Sequence, residues 1–132
     1  MCSTTADLSQ LDMPAYIYSS REDHIVPWRS AYLSRGILGG ETTFVMGASG
    51  HIAGVVNPPA KGKRSHWRNE IPAATAADWL AAATEHKGSW WPHWIEWLER
   101  FAGAERPARK TLGSKRHKPG EAAPGRYVKE KA

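Results

Sequence analysis

Two short runs of aromatic and β-branched residues stand out in the first half of the chain. Ala15-Tyr16-Ile17-Tyr18-Ser19 lies between Pro14 and the charged stretch Ser20-Arg21-Glu22-Asp23-His24, and Thr42-Thr43-Phe44-Val45-Met46 runs into Gly47-Ala48-Ser49-Gly50-His51. Both read as buried strands. Between them Trp28, Ala31, Tyr32, Arg35 and Leu38 recur at three- and four-residue steps behind Pro27, and Gly39-Gly40 follows. That pattern predicts a helix with proline in its first turn and glycine at its stop. Strand, helix and strand on short connectors form the grammar of a parallel βαβ unit, so the expected class is α/β.

The pattern loosens on either side. Residues 1 to 14 are polar and close on the turn Asp12-Met13-Pro14. Beyond Pro58-Pro59, residues 60 to 70 read as a basic loop containing Trp67. A short alanine-rich helix is expected over Thr75 to Ala83. An amphipathic one is expected over Pro92 to Phe101, with Trp94, Trp97, Leu98 and Phe101 on one side. After Gly103 the chain is mostly Lys, Arg, Pro, Gly and Ala, and it reads as irregular. The predicted division is therefore an α/β portion over 1–103 and an extended basic tail over 104–132.

Composition sharpens this picture in three ways. Of the 132 residues 41% are apolar, and since the tail holds few of them, the core-forming part is nearer 100 residues long. The net charge is +5 with a sequence pI of about 9.6, carried by Lys61, Lys63 and Arg64 and by a looser group running from Arg106 to Lys118. A solvated surface and a solubilising tail account for such runs, with attraction to polyanions or phosphate-bearing substrates as the competing reading. Finally, the single cysteine, Cys2, excludes an intramolecular disulfide or a cysteine-cluster metal site, and His66, His86 and His93 lack ligand spacing. No stretch approaches the roughly 18 apolar residues of a membrane span and no basic-then-apolar leader is visible, which makes a cytoplasmic protein the expectation.

In an open parallel sheet the reactive groups gather at the carboxyl ends of the strands. Asp23 follows the first predicted strand and His51 the second, so both are expected on one edge. An acid preceding a base by one helix and one strand fits the last two stations of the order nucleophile, acid, base. The first station is empty, because neither GxSxG nor GxCxG occurs in these 132 residues. Cys2 has no preceding strand and no flanking glycines to form a nucleophile elbow. On spacing alone the pair is also compatible with two polar loop residues of no catalytic role.

The text around the pair carries more. Ser20-Arg21-Glu22-Asp23-His24-Ile25-Val26-Pro27-Trp28 and Gly47-Ala48-Ser49-Gly50-His51-Ile52-Ala53-Gly54-Val55-Val56-Asn57-Pro58-Pro59 resemble the class I polyhydroxyalkanoate synthases, or poly(3-hydroxyalkanoate) polymerases. Two further blocks, Ala83 to Pro92 and Ala123 to Lys129, resemble them in the same order. The resemblance implies the C-terminal portion of an α/β-hydrolase fold, with the last parallel strands, a crossover helix, a tryptophan-rich helical extension and a basic tail. It implies an acyltransferase that polymerises (R)-3-hydroxyacyl-CoA into polyester with release of coenzyme A. In the family's Cys-His-Asp triad, Asp23 corresponds to the acid and His51 to the base. The CoA thioester is then substrate, and no cofactor or metal is expected.

His24, in the same block as the acid, is a candidate for positioning substrate, against a supporting structural role. Trp28 and the tryptophans from Trp90 to Trp97 read as packing, and the loop from Lys61 to Arg64 as solvated, although CoA phosphates would be attracted to it. The expected partners are (R)-3-hydroxyacyl-CoA and the growing polyester chain. The chain alone, without the nucleophile, is expected to be inactive and marginally stable. A non-catalytic module binding synthase subunits or the polyester granule surface is the alternative, with granules then as its location. Nucleic-acid binding rests on charge alone and is not expected.

Overall fold

In the computed structural model, which describes residues 5–131, the chain divides into two compact units between Phe101 and Ala102. The first holds a four-stranded mixed sheet of order β1 (Ala15–Ser20), β2 (Thr42–Gly47), β3 (Ser65–Arg68) and β4 (Thr84–Lys87). β1 and β2 are parallel, in register from Ala15 against Thr42 to Ser20 against Gly47, with α1 (Trp28–Leu33) crossing between them. The expected α/β class and its βαβ core are therefore present. The helix is shorter than its apolar spacing suggested: after Leu33 it tightens into a 3-10 turn over Ser34–Gly36. The second unit is largely irregular, with a 3-10 turn over Tyr127–Lys129 and an Arg126–Glu121 ion pair of 3.0 Å.

The basic loop expected over 60–70 needs correction. Its last part is β3, which pairs antiparallel with the carboxyl half of β2, while β4 pairs antiparallel with β3. Ser-His-Trp-Arg and Thr-Glu-His-Lys contain no apolar run; β4 is the edge strand, where polarity is ordinary, whereas β3 is polar although it is paired on both sides. The register sorts their side chains. Trp67 lies opposite Met46 and packs towards the main core, whereas Arg68 lies opposite Val45 on the other face.

That core sits between the sheet, α1 and α2 (Ala76–Ala82). Trp28, Tyr32, Phe44, Met46, Ala76 and Trp79 are buried there, with Trp79 only 1% exposed. Phe44 meets Tyr32 and Trp79 edge to face at 5.1 and 4.9 Å, a geometry that suits the ring quadrupoles. Buried polar ends are satisfied: the Tyr32 hydroxyl donates to the Ala73 carbonyl at 2.7 Å and the Trp79 indole to that of Asn69 at 3.3 Å. Thr75 caps α2, its hydroxyl accepting from the Asp78 amide.

The opposite face of the sheet carries α3 (Trp91–Ala102). Tyr16 meets Trp97 at 5.5 Å and hydrogen-bonds His93 at 2.9 Å, and Tyr18 stacks on Trp90 at 4.2 Å. Trp90 is buried, but Trp94, Leu98 and Phe101 are exposed, so only part of the tryptophan cluster fulfils the packing role expected for it within these residues.

Three histidines lie on this face. The His66 and His86 rings stack at 5.4 Å, His66 donates to the Gly88 carbonyl, and Arg68 donates to His86 Nδ1 at 3.0 Å. Burial, reinforced by the Arg68 charge, holds all three imidazoles below the ordinary 6.5. In the unfolded chain each binds a proton near that value, whereas the folded ones resist protonation until lower pH. The histidine contribution is therefore fully present above 6.5 and is lost on acidification below it. The melting temperature is expected to fall between pH ~7.5 and ~5, less so in a His66→Gln, His93→Gln variant. A melting temperature that held or rose on acidification would contradict this.

Candidate functional site

Asp23 and His51 leave the carboxyl ends of the two parallel strands, and backbone bonds sew their loops together. The Arg21 amide donates to the Gly47 carbonyl at 2.8 Å and the Glu22 amide to that of Ser49 at 3.0 Å. Ser49 reaches the second of these by adopting φ +74°, a left-handed conformation that non-glycine residues rarely take and that costs on the order of 1 kcal/mol. Such strain at the entrance to a loop is characteristic of places where geometry matters more than stability.

The acid is held firmly. Asp23 Oδ1 accepts from the amides of Ile25 at 2.8 Å and Val26 at 3.0 Å. The Val26 amide first, then that of Ile25, and more weakly the neighbouring imidazoles keep its carboxyl below the usual carboxylate range, against partial desolvation. It is a carboxylate at neutral pH, aimed by its own loop.

His51 lies beside it. His51 Nδ1 is 3.8 Å from Asp23 Oδ1, with the two side chains 34% and 13% exposed. That separation is an ion-pair contact, longer than a hydrogen bond, and Nδ1 is itself buried without a bonded partner. Catalytic hydrogen bonds often stay long until substrate binds. A carboxylate facing Nδ1 favours the Nδ1–H tautomer, which places the accepting lone pair on Nε2. Chemically the pair is an oriented imidazole able to take and return one proton. His24 is exposed, and its ring meets that of His51 edge-on at 5.1 Å.

The turn bearing His51 is closed by the Gly54 amide on the Gly50 carbonyl at 2.8 Å. Gly54 has no room for a side chain, because a Cβ would stand 2.5 Å from Ser20 Oγ and 2.7 Å from the Ala48 carbonyl. From the other side the indoles of Trp90 and Trp91 donate to the carbonyls of Gly54 and Val55 at 3.3 and 2.9 Å. Sequence reasoning treated both tryptophans as packing. The available signal was their proximity within one of the resemblance blocks, but nothing in the spacing told which loop they would meet.

The other candidates lie apart from this centre. Lys61, Lys63 and Arg64 are exposed, their loop tied down by Asn57, which donates to the Lys63 carbonyl at 3.1 Å. Cys2 falls outside the described residues. A cavity of about 690 Å³ opens between α3 and β2, lined by Thr43, Val45, Arg68, His93 and Trp97 among others, and neither Asp23 nor His51 reaches it. Among the described residues no helix is long and apolar enough to cross a membrane.

No protein-family model matches the chain. Among curated proteins it is 56% identical, over all 132 of its residues, to the poly(3-hydroxyalkanoate) polymerase subunit PhaC of Cupriavidus necator, covering 22% of that protein. It is 44% identical over 125 residues to the poly(3-hydroxyalkanoate) polymerase subunit PhaC of Rhizobium meliloti, covering 95% of this chain and 20% of the relative. To poly(3-hydroxyalkanoate) polymerase 1 of Ectopseudomonas oleovorans it is 38% identical over 131 residues, 99% of this chain and 23% of the relative. The similarity thus runs the full length of the chain, and the chain spans about a fifth of the length of the curated relatives it matches.

Proposed function

We propose that this chain supplies the acid and base of a poly(3-hydroxyalkanoate) polymerase, corresponding to the C-terminal part of its α/β-hydrolase-type catalytic domain. The observation that carries the reading is the placement of Asp23 and His51 3.8 Å apart at the ends of adjacent parallel strands, in a chain 56% identical throughout to such a polymerase subunit. The reaction joins (R)-3-hydroxyacyl units from their CoA thioesters into polyester and releases coenzyme A, with the thioester as substrate and no cofactor.

The chemistry assigns each group one task. His51 Nε2 takes the proton of a cysteine thiol, the thiolate attacks the thioester carbonyl, and the proton passes to the departing CoA sulfur. The acyl group then rests on cysteine. A second proton transfer, from the hydroxyl that attacks this acyl-enzyme to His51 and on to the cysteine sulfur, forms the ester and restores the thiol. Asp23 stabilises the imidazolium at each stage without accepting the proton. The cysteine comes from the remainder of the polymerase, since these 132 residues contain no GxCxG. The same remainder supplies the pocket walls.

The test has two arms. The isolated chain is expected to release no coenzyme A from (R)-3-hydroxybutyryl-CoA. When it replaces the aligned stretch of the Cupriavidus necator subunit, polymer synthesis is expected to persist. A soluble, folded hybrid without activity would sink the reading, as would CoA release by the chain alone that disappears in His51→Ala.

The exposed Trp94, Ile95, Leu98 and Phe101 along α3 favour one second reading, a non-catalytic module binding synthase subunits or the granule surface. A pull-down of full-length polymerase by the wild-type chain, lost when those four residues are made polar, would support it. No co-purification would count against it.

A further inference from the structure

His51 is carried on a turn whose first half belongs to the sheet and whose second half is held by something else. Its strand side is fixed by β2 and by the bonds from Arg21 and Glu22. Past the imidazole, Gly54 and Val55 turn their carbonyls to two consecutive indoles, Trp90 at 3.3 Å and Trp91 at 2.9 Å. Their residues are anchored in turn. Trp90 is buried and stacked on Tyr18, and the Trp91 amide is capped by the Ser89 hydroxyl at 3.1 Å.

Burial alone does not account for this arrangement. Trp91 is only half-buried and its bond to Val55 is exposed to solvent, where water would satisfy the same carbonyl. What a rigid bicyclic ring with a single N–H provides, and water does not, is a fixed direction. The gap it controls is small: Nδ1 of His51 lies 3.8 Å from Asp23 and lacks a partner, so a shift of the turn by less than 1 Å decides whether that bond closes. Misplacement on this scale costs about 10²-fold in rate when it affects a catalytic group.

We propose that Trp90 and Trp91 are positioning residues that clamp the far side of the His51 turn and so hold the imidazole in reach of Asp23. The proposal rests on the acid–base reading above. The pair acts through His51 and touches no substrate.

Trp91→Phe is the informative change, since it removes the N–H, together with the second fused ring of a half-buried side chain, while keeping an aromatic ring in place. In the hybrid polymerase it is expected to lower kcat about tenfold or more, leaving KM for (R)-3-hydroxybutyryl-CoA within about twofold and the melting temperature essentially unchanged. An unchanged kcat, or a fall matched by a lower melting temperature, would overturn the clamp. A second measurement needs no activity. In the isolated chain, amide hydrogen exchange over Gly54 to Asn57 is expected to quicken in Trp91→Phe while β1 and β2 stay as they were, and equal rates would also overturn it. His51→Ala separates the two ideas. If it leaves the hybrid active, the acid–base assignment has failed. If it silences the hybrid while Trp91→Phe does not, only the clamp has failed.

Discussion

His51→Ala in the hybrid polymerase is expected to reduce polymer synthesis on the order of 10³-fold or more, with the protein still folded. The size follows from the two proton transfers assigned to one imidazole. Without it the cysteine must ionise unaided and the incoming hydroxyl must attack as a neutral alcohol, so both acyl-transfer steps slow. The effect on folding should be small because His51 is partly exposed and its Nδ1 has no hydrogen bond to lose. Asp23→Asn should be milder in chemistry but less innocent in structure. It keeps an oxygen for the Ile25 and Val26 amides yet removes the negative charge that steadies the imidazolium. The measurement is CoA release beside polymer yield, with circular dichroism as the control for folding. Near-wild-type turnover in His51→Ala would end the assignment.

Trp79→Ala is expected to have the largest effect on stability, about 3–5 kcal/mol. Trp79 is 1% exposed, meets both Phe44 and Tyr32, and donates its indole N–H to the Asn69 carbonyl. Truncation removes the aromatic contacts, opens a cavity between the sheet and the two helices, and leaves that carbonyl without its donor. Whole domains are typically stable by only about 5–15 kcal/mol, so the variant should be near its unfolding point at room temperature. Urea denaturation of the chain and of Trp79→Ala gives the difference directly. A loss below about 1 kcal/mol would mean that the core is arranged otherwise.

The parts of this molecule that were legible in its sequence are those stated by apolar spacing. β1 and β2 announce themselves through Tyr16, Ile17, Tyr18, Phe44 and Val45, and α1 through Trp28 and Tyr32, because each buries a regular face. β3 and β4 were illegible for the converse reason. Their ladder is built by backbone groups that any residue has, and His66 and Arg68 spend their side chains on His86 and Gly88 rather than on an apolar core. The candidate site divides similarly. Local topology places Asp23 and His51 on one edge, whereas the bonds from Trp90 and Trp91 to Gly54 and Val55 join residues 36 apart and depend on how α3 returns to the sheet. Long-range contacts of that kind leave no period to read.

The seam between the Asp23 and His51 loops has a consequence for inheritance and for engineering. Register within one βαβ unit and the bonds Arg21 to Gly47 and Glu22 to Ser49 set the spacing of the two loops, so that part of the geometry is internal to the stretch from Ala15 to His51. The two groups travel as a cassette. Recombination that exchanges this stretch between related chains would carry Asp23 and His51 across together, leaving the hold on the turn past His51 to the recipient's counterparts of Trp90 and Trp91, while breakpoints placed between Asp23 and His51 would have to recreate the match between two loops at once.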